Sequence, residues 1–113
     1  MSKSLIKGTI VSNEPISSDC YSMLISAPDI ANAAVPGQFV NVYINDESKL
    51  LPRPISICEV TDDKVRIVFR AVGAGTRELA TYRGGDSVRI MGPLGNGYTI
   101  EQDRSYLRYP KVP

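Results

Sequence analysis

Hydrophobic and polar positions alternate along most of this chain. Lys64-Val65-Arg66-Ile67-Val68-Phe69-Arg70 begins polar, apolar, polar, apolar, the period of a strand with one buried face. Ser87-Val88-Arg89-Ile90-Met91 repeats it, and Gln38-Phe39-Val40-Asn41-Val42-Tyr43-Ile44 is rich in the β-branched and aromatic residues that fill a pleated surface. Ile6–Val11, Tyr21–Ala27 and Ile55–Val60 are three further strand candidates. Turn-forming groups stand between them: Asn13-Glu14-Pro15, Pro36-Gly37, Asp62-Asp63 and Gly84-Gly85-Asp86. After Val72 the period changes. Thr76 is a candidate N-cap, Arg77–Tyr82 fits about two helical turns, and Gly84 stops them. Ile30–Ala34 could form a single helical turn. Short strands at near-regular spacing predict an all-β barrel or sandwich with one short helix. From Thr99 to Pro113 no period survives, and that stretch reads as a polar tail or linker.

Composition narrows the function. The chain has 113 residues, enough for one domain and too few for two. A hydrophobic share of 42% with 22% charged residues is that of a soluble globular domain. A net charge of +1 supplies no bulk attraction to nucleic acid or anionic lipid, and a chain with two phenylalanines and no tryptophan offers few platforms for stacking bases. The absence of histidine excludes every imidazole-based triad and every histidine metal ligand. Cys20 and Cys58 cannot by themselves build a four-cysteine zinc or iron–sulfur site, so no metal site is expected. Redox chemistry on this chain therefore needs an organic cofactor or a partner. No uncharged stretch approaches the ~20 apolar residues of a membrane helix, and Met1–Lys7 has no apolar leader core. The expected setting is the cytoplasm, where both thiols stay reduced.

Three segments could carry chemistry. In Leu51-Pro52-Arg53-Pro54-Ile55-Ser56-Ile57 two prolines bracket one arginine and hold the backbone extended. A guanidinium on a stiff backbone is a preorganised fork for phosphate, and Ser56 adds a hydroxyl. Strict alternation puts Arg53 and Ser56 on opposite faces, so a shared ligand requires the strand to begin after Pro54. Read alone, these residues fit a surface arginine in an edge-strand turn better. Val72-Gly73-Ala74-Gly75-Thr76 leads from a strand into the helix, and small residues there let backbone N–H groups reach an anion. It lacks the third glycine of the dinucleotide fingerprint and the lysine of a P-loop, and a plain strand-to-helix turn carries about equal weight. Gly92-Pro93-Leu94-Gly95-Asn96-Gly97-Tyr98 contains an Asn-Gly turn signal and, read alone, ends the last strand. Together, an arginine and a glycine-rich helix start in a barrel without acid–base machinery point to a pyrophosphate-bearing cofactor.

Arg53-Pro54-Ile55-Ser56 resembles the RxYS-type motif of the flavin domain in the ferredoxin-reductase superfamily. The succession PGQFV (36–40), RPISI (53–57), VGAGT (72–76), GGDSV (84–88) and GPLGNGY (92–98) is similar to the electron-transfer subunit of type B dihydroorotate dehydrogenase, over about residues 5–98. The resemblance implies a six-stranded antiparallel Greek-key barrel over residues 1–98 that binds FAD at one edge, followed by the 99–113 tail. It implies that Arg53 holds the pyrophosphate and that Pro54, Ile55 and Ser56 line the isoalloxazine ring. Arg70, Ala71 and Val72 would contact the cofactor along the next strand, and Gly75 and Thr76 would meet phosphate. It implies an FAD-binding module of an electron-transfer flavoprotein in pyrimidine biosynthesis, passing electrons from dihydroorotate dehydrogenase to NAD. The implied partner is the catalytic dehydrogenase subunit; a homo-oligomer is also compatible, and neither nucleic acid nor membrane is expected. The family's nicotinamide-binding region and the cysteines of its [2Fe–2S] cluster have no counterpart in these 113 residues, and Ala74 stands where a lysine is common. The expectation is a module not catalytically complete alone. The alternatives are the flavin domain of a related NADPH-ferredoxin oxidoreductase or sulfide dehydrogenase subunit, and a non-catalytic barrel that serves association.

Overall fold

The computed structural model describes residues 4–44 and 52–96. The expected tail at 99–113, and Gly97 and Tyr98 of the glycine-rich turn, lie outside the described residues. The described residues form six strands: β1 (Ser4–Pro15), β2 (Cys20–Ser26), β3 (Phe39–Tyr43), β4 (Arg53–Thr61), β5 (Lys64–Arg70) and β6 (Ser87–Leu94). They close into a barrel in the order β1-β2-β5-β4-β3-β6, and every neighbouring pair is antiparallel. β3, β4 and β5 are successive neighbours, and β2 lies beside β5, which is the Greek-key arrangement.

The period-two pattern explains the closure. Met23 and Ile25, Val40 and Val42, Ile55 and Ile57, Val65 and Ile67, and Val88 and Ile90 all point inward and are buried. Burying each such side chain contributes ~1.5–3 kcal/mol. The interior of a small barrel is narrow, and β-branched residues fill it without long flexible arms. Backbones also approach closely: a Cβ on Gly92 would lie 2.8 Å from Val40 Cγ1 and 3.2 Å from the Phe39 carbonyl oxygen. Buried Gln38 braces the entry to β3, its Oε1 accepting from Val35 N–H at 2.9 Å and its Nε2 donating to the Gly95 carbonyl at 2.8 Å.

Three expectations change. The described residues form two short helices rather than one: α1 (Pro28–Ala33) opens on Pro28 and buries Ile30 and Ala31, while α2 (Ala74–Leu79) follows β5. α2 also starts three residues early. Gly73 is its N-cap, and Thr76 sits in the first turn, where its Oγ1 accepts from Gly73 N–H at 3.1 Å. Asn13-Glu14-Pro15 is not a turn, because β1 runs on to Pro15, paired with Tyr21. Asn13 Nδ2 instead donates to the carbonyls of Leu79 at 3.2 Å and Tyr82 at 2.9 Å, capping the end of α2 from a neighbouring strand. The Asp62-Asp63 and Gly84-Gly85-Asp86 turns fall where expected, with Asp62 at φ 54° and Gly85 at φ 97°. Among the described residues no helix is long and apolar enough to cross a membrane.

Candidate functional site

β4 and β5 pair only along part of their length, from Ile57↔Ile67 to Thr61↔Lys64, with an irregularity between Ile57 and Glu59. Beyond Ile57 the strands part company. Residues 53–56 of β4 pair with β3, and the end of β5 pairs with β2 up to Cys20↔Arg70. The wedge between them is an open groove of ≈ 240 Å³. Arg53, Pro54, Ile55 and Ser56 line one wall, Val68, Phe69 and Arg70 the other, and Thr76 of α2 adjoins them.

Each lining residue has a local reason to be there. Ile55 and Phe69 are the inward residues of their strands, 6% and 5% exposed, and form an apolar floor. Phe69 stacks on Tyr21 across the β2–β5 ladder, with ring centroids 5.7 Å apart. Ile57 turns its backbone toward the β3 side, donating to the Gln38 carbonyl at 2.7 Å and accepting from Gly37 N–H at 3.1 Å. Antiparallel alternation then directs the N–H and C=O of Ser56 to the open seam. Pro54 brings no N–H to that edge, so no donor is stranded there.

The two arginines differ. The Arg53 side chain is exposed, and its guanidinium makes no hydrogen bond or ion pair among the described residues. Its stem runs beside α2: a Cβ on Gly75 would lie 3.8 Å from Arg53 Cγ and Cδ, and 3.1 Å from Ile44 Cδ1. The first hydrogen bond of α2 runs from Arg77 N–H to the Gly73 carbonyl at 2.9 Å, so the N–H groups of Ala74, Gly75 and Thr76 have no partner within the helix. Arg70 is paired. It donates from Nη2 at 2.8 Å and Nε at 3.3 Å to one carboxylate oxygen of Asp19. The hydrogen bond from Arg70 holds the Asp19 carboxyl below the usual carboxylate range, and Asp19 in turn holds the guanidinium above its ordinary value.

Of the expected site residues, Arg53, Pro54, Ile55, Ser56, Arg70 and Thr76 converge on the groove. The strand begins at Arg53 rather than after Pro54, yet Arg53 and Ser56 share the groove because it opens across the strand edge instead of over one face. Gly75 adjoins it through the Arg53 stem. Ala71 and Val72 stand apart from the lining: Ala71 N–H donates to the Asp19 carbonyl at 2.7 Å, and Val72 is exposed. Sequence reasoning missed Val68, Phe69 and Asp19. Cys20 on β2 and Cys58 on β4 are free thiols on strands separated by β5, and burial raises the Cys58 thiol above its ordinary value.

No protein-family model matches the chain. Curated relatives do. The dihydroorotate dehydrogenase B (NAD(+)) electron transfer subunit of Desulforamulus reducens is 47% identical over 88 residues, covering 75% of this chain and 34% of that protein. The same subunit of Clostridium perfringens is 39% identical over 103 residues, covering 91% of this chain and 40% of that protein. Over most of its length this chain is similar to the dihydroorotate dehydrogenase B electron-transfer subunit. It spans well under half the length of those electron-transfer subunits. Among solved structures, an NADH-dependent reduced ferredoxin-NADP oxidoreductase superposes with a TM-score of 0.73 at 28% identity, covering 81% of this chain and 34% of that one. A ferredoxin NADP+ reductase from Neisseria gonorrhoeae, solved with FAD and NADP, superposes with a TM-score of 0.66 at 15% identity, over 83% of this chain and 39% of that one. The barrel is therefore of the ferredoxin-reductase type.

Proposed function

We propose that this chain is the FAD-binding module of an electron-transfer flavoprotein subunit that serves dihydroorotate dehydrogenase B. The observation that carries the reading is the groove at the parted β4–β5 seam, with the Arg53 guanidinium, unpaired among the described residues, at its rim. A free guanidinium fork suits a pyrophosphate. The apolar floor of Ile55 and Phe69 suits a flat ring, and the seam edge of Ser56 offers one donor and one acceptor to ring heteroatoms. Bound FAD supplies the redox chemistry; the chain binds it, orients it and shields one face of the ring from water. The groove is open and smaller than the ~300–1,000 Å³ of an enclosed ligand pocket, so an extended ligand lies along it rather than inside it.

The catalytic dehydrogenase subunit is the proposed partner and NAD the proposed electron acceptor of the assembled complex, by analogy with the similar electron-transfer subunits. The cytoplasm is the proposed setting. A second reading, the flavin module of a ferredoxin-NADP oxidoreductase, is favoured by the 28% identity to the solved oxidoreductase. The 47% identity to an electron-transfer subunit outweighs it.

Titration of the purified chain with FAD, FMN and riboflavin, followed by flavin fluorescence, tests the reading. FAD should bind at least about tenfold more tightly than riboflavin, the value of one charge-assisted contact to phosphate. Equal affinity for all three, or no binding, would overturn it and leave an association module as the better account.

A further inference from the structure

We infer that Asp19 is a positioning residue: its carboxylate holds the Arg70 guanidinium on the groove rim in the orientation that meets the cofactor. The inference rests on the flavin reading above. Asp19 does not line the groove. It ends the short connection between β1 and β2, where Ile16 N–H donates to the Cys20 carbonyl at 2.8 Å. Its own carbonyl accepts from Ala71 N–H at 2.7 Å, so its backbone is tied to the end of β5 whatever its side chain does. From that fixed base the carboxylate takes Arg70 at two points, Nη2 at 2.8 Å and Nε at 3.3 Å.

Both contacts use one edge of the guanidinium and leave the Nη1 donors free for a ligand. Arg70 is an open side chain, 66% exposed, and no other described group bonds its guanidinium. Asp19 is what fixes its rotamer. A fork held in place loses less freedom on binding than one recruited from solution. Charge sharpens the division of labour. Arg53 remains a full cation for an anionic group, whereas Arg70 is already paired with a carboxylate. Arg70 therefore contributes a directional hydrogen bond more than net attraction, and directional bonds depend on orientation.

A double-mutant cycle on the full 113-residue chain tests this, with FAD affinity read by fluorescence for the parent, Asp19→Ala, Arg70→Ala and the pair together. Asp19→Ala should weaken FAD about three- to tenfold when Arg70 is present and less than about twofold when it is absent. Asp19→Asn keeps an acceptor and loses the charge, and should fall between parent and Asp19→Ala. Thermal melting without FAD checks that each variant folds; the main-chain tie to Ala71 persists in all of them. Equal loss in both Arg70 backgrounds would mark a merely structural role and overturn the inference. So would an unchanged affinity in Asp19→Ala or in Arg70→Ala while Arg53→Ala weakens FAD. If the parent binds no FAD, the flavin reading itself falls and the inference falls with it; if the parent binds FAD and Arg53→Ala leaves it unchanged, an unchanged affinity in Asp19→Ala or Arg70→Ala still overturns the inference.

Discussion

Replacing Arg53 with alanine separates folding from binding. The side chain is exposed and has no bonded partner among the described residues, so its removal strands no buried group. Surface changes of that kind stay within about 0.5 kcal/mol of the parent. The effect on ligand should be much larger. A hydrogen bond to a charged group contributes ~1.5–3 kcal/mol, and at about 1.4 kcal/mol per decade that converts to a roughly 10- to 100-fold loss of FAD affinity. The open groove favours the lower half of that range, because water screens what the guanidinium offers. Riboflavin has no phosphate and should lose less than about twofold. The measurement is a pair of fluorescence titrations, FAD and riboflavin, on parent and variant at one fixed salt concentration. A parallel loss for both ligands would refute the assignment, since it would make Arg53 a general packing residue of the groove and not an anion anchor.

Other consequences are quick to check. Gly92→Ala forces a methyl group against Val40 and the Phe39 carbonyl and should cost about 1–3 kcal/mol, seen as a melting temperature several degrees lower. Ile67→Ala, at the last pair before the seam opens, removes a fully buried side chain and should cost about 2–5 kcal/mol in denaturant unfolding. In a Cys20→Ser background the alkylation rate of Cys58 should still be rising at the pH where that of free cysteine has levelled off, because partial desolvation disfavours its thiolate; levelling off together with free cysteine would contradict that argument. Asp19 has a lowered folded-state value, so whatever stability it contributes is present above its unfolded value near 3.9 and is lost as pH falls through the lower folded one. Stability curves of the parent and Asp19→Asn should therefore differ at neutral pH and converge at the acid end.

Much of this was legible from the chain itself. β5 lies at Lys64–Arg70, where the period-two pattern predicts a strand, because its residues alternate between core and surface. The turns at Asp62 and Gly85 were legible because their backbone conformation selects the residue type. Asn13-Glu14-Pro15 misleads for the opposite reason: turn chemistry is a local signal, and Asn13 bonds the carbonyls at the end of α2, 66 residues away. Thr76 looked like an N-cap because threonine favours that position, yet the hydroxyl works equally well from the first turn, reaching back to Gly73. The arginine and glycine motifs marked one wall of the site. Val68 and Phe69 were invisible as lining residues, since nothing in a strand's period records where its hydrogen-bonded ladder to a neighbour stops. Asp19 was invisible too, because its partner is brought to it only by the β2–β5 register.

The parted seam also bears on solubility. Closing a sheet into a barrel removes the raw strand edges along which copies of a protein zip together. Here a short length of two edges stays open, on β4 from Arg53 to Ser56 and on β5 from Val68 to Arg70. Pro54 interrupts the first, and arginines stand at the ends of both, the devices by which edge strands discourage pairing with another chain. Ligand in the groove covers what they leave exposed, and binding to the folded form alone raises its stability by mass action. On the proposed reading, flavin would therefore stabilise the folded form of its own site. Chain purified without it should self-associate more readily on warming, and the Ser56 amide, though inside a strand, should exchange its hydrogen quickly until the groove is filled.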